Sequence, residues 1–193
     1  ADLIVELMLL LHSPEQEKIL KAGTRMLLAV EPPEILARMM PSAEDKRRIK
    51  AASAVLKKAK TMTVTSASGT DFSCKIGSFP ILEEYGFADE PGRWDHWPSG
   101  FLATWPTEKT AKGTVVLDAG DIIFPFKSYV QSRIELSIDK GFITGIDGGF
   151  EAEYLREYMH SFEDPEAFAV SHLGWGLQPK AQWTALGMYD KDA

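Results

Sequence analysis

Three of the four histidines stand where an imidazole could do chemistry. His172 lies in Ala169-Val-Ser-His-Leu-Gly-Trp-Gly176. An apolar run delivers the ring, Gly174 and Gly176 permit close backbone approach, and Trp175 offers an apolar wall. Neutral imidazole is the commonest protein metal ligand, so metal binding is one reading; a strand-end histidine satisfied by hydrogen bonds is the other. His96 sits in Arg93-Trp94-Asp95-His96-Trp97-Pro98, between two tryptophans and beside an aspartate. That is either an aromatic pocket wall carrying a titratable base or a pair of Trp anchors pinning a loop. His12 follows the apolar run Leu3 to Leu11. His160 falls near a helix end, where an imidazolium favours the dipole, and is given no catalytic role. Asp71, in Gly69-Thr70-Asp71, reads as a turn-capping carboxylate before it reads as a site residue.

The elements that must position these residues begin with Leu3 to Leu11, a buried and parallel strand by its apolar density. Ser13-Pro14-Glu15-Gln16 is a helix start with Ser at the N-cap and Pro in the first turn, and Gly23 ends that helix. Arg25 to Val30 predicts a second buried strand, and Pro32-Pro33 opens a short helix through Met40. This order implies parallel strands with flanking helices, and ligands of such sheets sit beyond the carboxyl ends of strands, where His12 is placed. Ala43 to about Lys60 predicts an amphipathic helix with Ile49, Ala52, Ala54, Val55 and Leu56 as its buried stripe and Lys and Arg as a solvated face.

From Thr61 onward the pattern turns to alternation and Gly-rich turns. Residues 1–60 are read as the C-terminal portion of an α/β domain and 61–193 as a β-rich α+β domain, an antiparallel sheet or open barrel, left incomplete. Strands are expected within Met62 to Ile76, Ser99 to Trp105, Gly113 to Leu117, Asp121 to Phe126, Val130 to Ile138 and Phe142 to Asp147. A helix follows over Phe150 to Ser161. Pro80 to Pro98 is read as a long loop, of a length that is usually functional or mobile. The opening in mid-strand and the polar end at Asp190-Lys-Asp-Ala193 suggest an internal piece of a longer protein.

The chain of 193 residues is 45% hydrophobic and 25% charged, ordinary for a globular domain. A net charge of −7 argues against nucleic acid as a partner. No apolar run approaches the roughly 20 residues needed to span a membrane. Cys74 is the only cysteine, which excludes an internal disulfide and fits a reducing cytoplasm.

Four segments, Met8-Leu-Leu-Leu-His12-Ser-Pro-Glu-Gln, Gly23-Thr-Arg-Met-Leu-Leu-Ala-Val-Glu-Pro-Pro33, Trp94-Asp-His96-Trp-Pro-Ser-Gly and Ser171-His172-Leu-Gly-Trp-Gly176, together resemble the 2,5-dihydroxypyridine 5,6-dioxygenases. The match runs in register along the chain. The wider superfamily resembled is the aminopeptidase T type of metallo-aminopeptidase. Those peptidases carry a metal-binding Glu where this chain has Phe101, and another near His172. Losing both carboxylates disfavours a two-metal hydrolytic site and suits one softer redox ion.

The resemblance implies a cytoplasmic homo-oligomeric oxidoreductase that uses Fe(II) and O2 to open 2,5-dihydroxypyridine to N-formylmaleamate. It implies that residues 61–193 are the metal-binding part, with His172 a ligand and the remaining Ser, His and Asp beyond residue 193. It implies that His96 is the base at the ring hydroxyl and that His12, with Leu11, serves the dioxygen side. Trp94, Trp97 and Trp175 would line the pocket, and Asp95 would orient His96. A metallo-aminopeptidase and a non-catalytic self-assembly module are the competing readings.

Overall fold

The computed structural model describes residues 1–8, 10 and 13–183. His12 and Leu11 lie outside the described residues. In chain order the elements are β1 (Leu3–Glu6), α1 (Pro14–Lys21), β2 (Arg25–Leu28), α2 (Pro33–Arg38), α3 (Ala43–Leu56), β3 (Thr61–Thr65) and β4 (Asp71–Lys75). Then come β5 (Leu82–Glu84), β6 (Trp94–His96), β7 (Phe101–Thr104), β8 (Lys112–Leu117), β9 (Ile122–Ile123), β10 (Ser128–Tyr129), β11 (Ile134–Asp139), β12 (Phe142–Gly148), α4 (Phe150–His160) and β13 (Leu173–Gly176).

Of the described residues, those within 1–57, 81–103 and 174–183 make one compact unit, and residues 58–80 and 104–173 make another. This corrects the single boundary at residue 60. The chain does leave the first unit there, but residues 81–103 return to it.

The first unit is α/β, as expected. Its parallel sheet has the order β1-β2-β6, and a second sheet has the order β13-β7-β5. The Ser13 side chain accepts from Gln16 N at 3.1 Å, which starts α1 at the predicted residue. At α3, Ser42 and Asp45 form a reciprocal capping box. Met26 and Leu28 of β2 and Met39 are fully buried, each stabilising the unit by roughly 2–3 kcal/mol.

Three expectations change here. First, β1 pairs in parallel with β2 but is not buried. It is the outermost strand and ends at Glu6, with Val5, Leu7 and Met8 exposed by 53%, 78% and 67%. Second, α3 buries Asp45, Ile49, Ser53 and Leu56, whereas Ala54 and Val55 face outward. Asp45 and Ser53 can go inward because each is hydrogen-bonded, Asp45 to Ser42 and Arg48 and Ser53 to Glu83. Third, Pro80 to Pro98 is not a loop throughout, because it holds β5 and β6. Each is three residues long, too short to show a period.

The second unit is the β-rich one. Its five-stranded sheet has the order β12-β11-β8-β4-β3, with all the paired strands antiparallel. Ile134, Leu136 and Ile146 alternate inward and pack with Ile123, Val130 and Ala152 of α4 in a core cluster of this unit. Asp121 to Phe126 and Val130 to Ile138 are only partly strand, since Phe124–Phe126 turns as a 3-10 helix.

Candidate active site

Strand β6 enters the parallel sheet beside β2, with Met26 opposite Trp94, Leu27 opposite Asp95 and Leu28 opposite His96. Alternation places Trp94 and His96 on one face and Asp95 on the other. Asp95 is fully buried and accepts from Tyr85 N and Gly86 N at 3.1 Å, His96 N at 2.9 Å and Arg93 Nη2 at 2.5 Å. Burial pushes its carboxyl up from the ordinary value, against the pull of Arg93, His96 and the backbone donors. Arg93 also donates to Glu83 O at 2.6 Å and lies 3.7 Å over the Tyr85 ring. Asp95 therefore ties down the turn of residues 85–93. Its carboxylate bonds the His96 backbone and not the ring, contrary to the orienting role expected of it.

The ring of His96 is held by Glu84. Its Nε2 is 2.8 Å from Glu84 Oε2 and its Nδ1 is 2.6 Å from Pro98 O, with His96 2% exposed and Glu84 5%. Both partners are acceptors, so the geometry asks for a proton on each ring nitrogen. Burial opposes that charge, but the Glu84 hydrogen bond, the Glu84 and Asp95 carboxylates and the Pro98 carbonyl outweigh it. His96 accordingly titrates above an ordinary histidine. Glu84 is delivered by β5, where alternation sends Glu83 the other way, onto α3. There Glu83 meets Lys50 at 2.5 Å, Lys57 at 3.1 Å and the Ser53 hydroxyl. Burial works against its charge, yet these donors hold it down to about 2.

Sequence reasoning gave Glu84 no such part. The signal was present in Leu82-Glu83-Glu84, but only if those three residues are taken as a strand with one carboxylate on each face.

Trp94 donates from Nε1 to Glu6 Oε2 at 2.8 Å, and its ring lies 5.7 Å from that of His96 at 45°. Trp97 donates from Nε1 to Leu36 O at 3.1 Å and from its backbone to Leu28 O at 2.8 Å, so it pins its segment to α2 and β2. Trp175 lies in β13 and is 38% exposed. Gly174 beside it has no room for a side chain, because a Cβ there would lie 2.4 Å from the Phe101 ring and 2.9 Å from Ala103 Cβ. The close approach expected at this glycine is therefore real.

His172 belongs to the second unit. It is exposed, with its ring edge-on to Trp105 at 6.2 Å. Asp71 is exposed at the start of β4, and burial pushes the Cys74 thiol up. Among the described residues, no group of three or more His, Cys, Asp or Glu side chains could hold a metal ion. His172 offers one imidazole, which alone does not make an iron site.

The family model described as NicX: 2,5-dihydroxypyridine 5,6-dioxygenase matches residues 1–193. A curated 2,5-dihydroxypyridine 5,6-dioxygenase of Pseudomonas putida KT2440 is 65% identical over 192 residues, covering 100% of this chain and 55% of the relative. The chain thus spans about half the length of the curated relative it matches. A solved structure of the dioxygenase from the same organism superposes with a TM-score of 0.94 at 66% identity, covering 96% of this chain and 54% of that one. AmpT from Thermus thermophilus, at a TM-score of 0.52 and 14% identity over 74% of this chain and 36% of its own, shares the fold alone.

Proposed function

The chain belongs to the 2,5-dihydroxypyridine 5,6-dioxygenase family, and from that premise we propose that the protein containing it opens 2,5-dihydroxypyridine with O2, in an Fe(II)-dependent reaction, to N-formylmaleamate. The observation that carries this for the chain's own residues is the buried Glu84–His96 pair, on the sheet face it shares with Trp94. A dihydroxypyridine ring becomes electron-rich enough to react with oxygen only as its 5-hydroxyl proton leaves. That step needs an acceptor shielded from water.

The pair supplies it as a unit. With His96 the proposed base at the ring hydroxyl, the pair holds one proton between His96 Nε2 and Glu84 Oε2 and takes the hydroxyl proton as its second. Taking up that proton leaves an imidazolium beside a neutral acid, a net positive charge that offsets the ring anion. Glu84 then holds the His96 ring and shares the charge that balances the product anion, and Trp94 is an apolar wall fixed through its Nε1. Trp97 and Trp175 are proposed as further walls of the substrate pocket.

His172, exposed in the second unit, is proposed as one iron ligand. The remaining Ser, His and Asp ligands are proposed to lie beyond residue 193. When bound, Fe(II) supplies the electron exchange between substrate and O2 that spin-paired organic molecules otherwise resist. Phe101 stands where the peptidases of the superfamily carry a ligand Glu, and its ring fills the space over Gly174. That supports one metal ion and oxygen chemistry over a two-metal hydrolase. His12, with Leu11, is proposed for the dioxygen side. A cytoplasmic homo-oligomer completes the reading, supported for its compartment by the single cysteine.

Oxygen uptake by the full-length protein tests it. Uptake with 2,5-dihydroxypyridine is expected only after anaerobic Fe(II) loading. His172→Ala should lose stoichiometric iron, while His96→Ala should keep its iron and lower kcat by roughly 10²- to 10⁴-fold. Zinc-dependent peptide hydrolysis without oxygen uptake would overturn the assignment. Loss of iron from His96→Ala would make His96 a ligand.

A further inference from the structure

Most polar side chains around β6 are saturated, and Glu6 stands out from them. It is 3% exposed; its Oε2 takes the Trp94 indole N–H at 2.8 Å, while its buried Oε1 meets no partner among the described residues. A buried acceptor left bare is costly, and such an atom in a native protein is matched by something the protein holds. The position of Glu6 says where that something lies. Leu28 of β2 pairs with Glu6 on one side and with His96 on the other. Residues in register across parallel strands send their side chains to the same face, so Glu6, Leu28 and His96 form one row. Two strand spacings, about 10 Å, separate the backbones of Glu6 and His96. Glu6 is also the last residue of β1, at the strand end where ligands of open α/β sheets bind.

We propose that Glu6 is a specificity-determining residue of the substrate site, its free Oε1 accepting a ring N–H of a heteroaromatic lactam. The inference rests on the dioxygenase reading and adds to it the group that recognises the nitrogen edge. In its lactam tautomer, 2,5-dihydroxypyridine carries an N–H beside the C2 carbonyl, and the 5-hydroxyl stands meta to that N–H, on a different edge of the ring. A site that takes the hydroxyl proton at the Glu84–His96 end needs a second acceptor, displaced along the row, for the N–H on the adjoining edge. Glu6 is that acceptor. Its second oxygen holds Trp94, so one carboxylate fixes both the wall and the edge of the ring. The device selects a nitrogen heterocycle over a benzenoid diol of the same shape, because the diol would leave Oε1 unpaired.

The test is calorimetric binding of 2-pyridone and N-methyl-2-pyridone to the full-length Fe(II)-loaded protein, beside turnover of 2,5-dihydroxypyridine. Wild type should bind 2-pyridone about 10- to 100-fold more tightly than the N-methyl compound, as one hydrogen bond to a charged group warrants. In Glu6→Gln, which keeps the side-chain size and an oxygen for Trp94, that preference should collapse to within about threefold, as one lost hydrogen bond requires. A residue that merely propped Trp94 would weaken both ligands alike and leave their ratio intact. An unchanged ratio in Glu6→Gln, or no preference in wild type, overturns the proposal. Should Glu6→Gln not fold, Glu6→Asp withdraws the same oxygen by one methylene and carries the same readout. Wild type that discriminates between the pyridones yet turns over no 2,5-dihydroxypyridine would sink the dioxygenase reading and leave the role of Glu6 standing.

Discussion

Replacing Glu84 by Gln removes one charge from a buried pair and leaves its shape. In wild type the imidazole of His96 is 2% exposed and its Nε2 lies 2.8 Å from Glu84 Oε2. Burial then disfavours the cation with nothing of equal strength to oppose it. Breaking a buried pair by removing one partner costs about 3–5 kcal/mol. The low end, about 3 kcal/mol, is expected here, because His96 can neutralise itself by losing a proton.

The pH dependence carries the sign. The pair raises the folded pKa of His96 above its ordinary 6.5. Its contribution is thus fully present below pH 6.5 and is lost as pH rises through the folded value. In Glu84→Gln burial should push the folded pKa below 6.5, so the variant gains stability as pH rises toward 6.5 and is flat above it. Urea unfolding of the full-length protein at fixed concentration, at pH 5.5, 7 and 8.5, measures both slopes. A variant within about 0.5 kcal/mol of wild type, an ordinary surface-substitution effect, and with the same pH slope would refute the claim that Glu84 sustains a charged His96.

Two further perturbations probe the frame around this pair. Gly174→Ala sets a methyl carbon 2.4 Å from the Phe101 ring and 2.9 Å from Ala103 Cβ; overpacking of this kind costs about 1–3 kcal/mol, and a Tm unchanged by thermal scan would contradict the packing described. Glu83 is held at about 2 by Lys50, Ser53 and Lys57 against the cost of burial, so its contribution is present above pH 4.5 and lost as pH falls toward 2. Glu83→Gln should cost about 1–2 kcal/mol at pH 7, since the lysines are partly solvated, and should flatten the acid limb of stability in that window. An unaltered acid limb would show the cluster to be idle.

What the sequence determined by itself is local. The starts of α1 and α3 at Ser13 and Ser42 follow from hydrogen bonds spanning three residues, as does the stop at Gly23, whose φ is +87°. The β3–β4 and β11–β12 hairpins follow from alternation and short turns, and His96 and His172 stand out as candidates by residue type and company. Tertiary structure decided the rest. β6 shows no period in three residues and becomes a strand only because β2, some 68 positions earlier by its Met26–Trp94 register, offers it a ladder. Val55 and Ser53 exchange their expected faces because Glu83, from a distant strand, rewards a hydroxyl pointing inward. The partner of the His96 ring is Glu84 and not its neighbour Asp95, because alternation turns Asp95 to the opposite face of β6. Each of these is a meeting of groups far apart in the chain. Nearest-neighbour chemistry says nothing about such meetings until the backbone has brought the strands together.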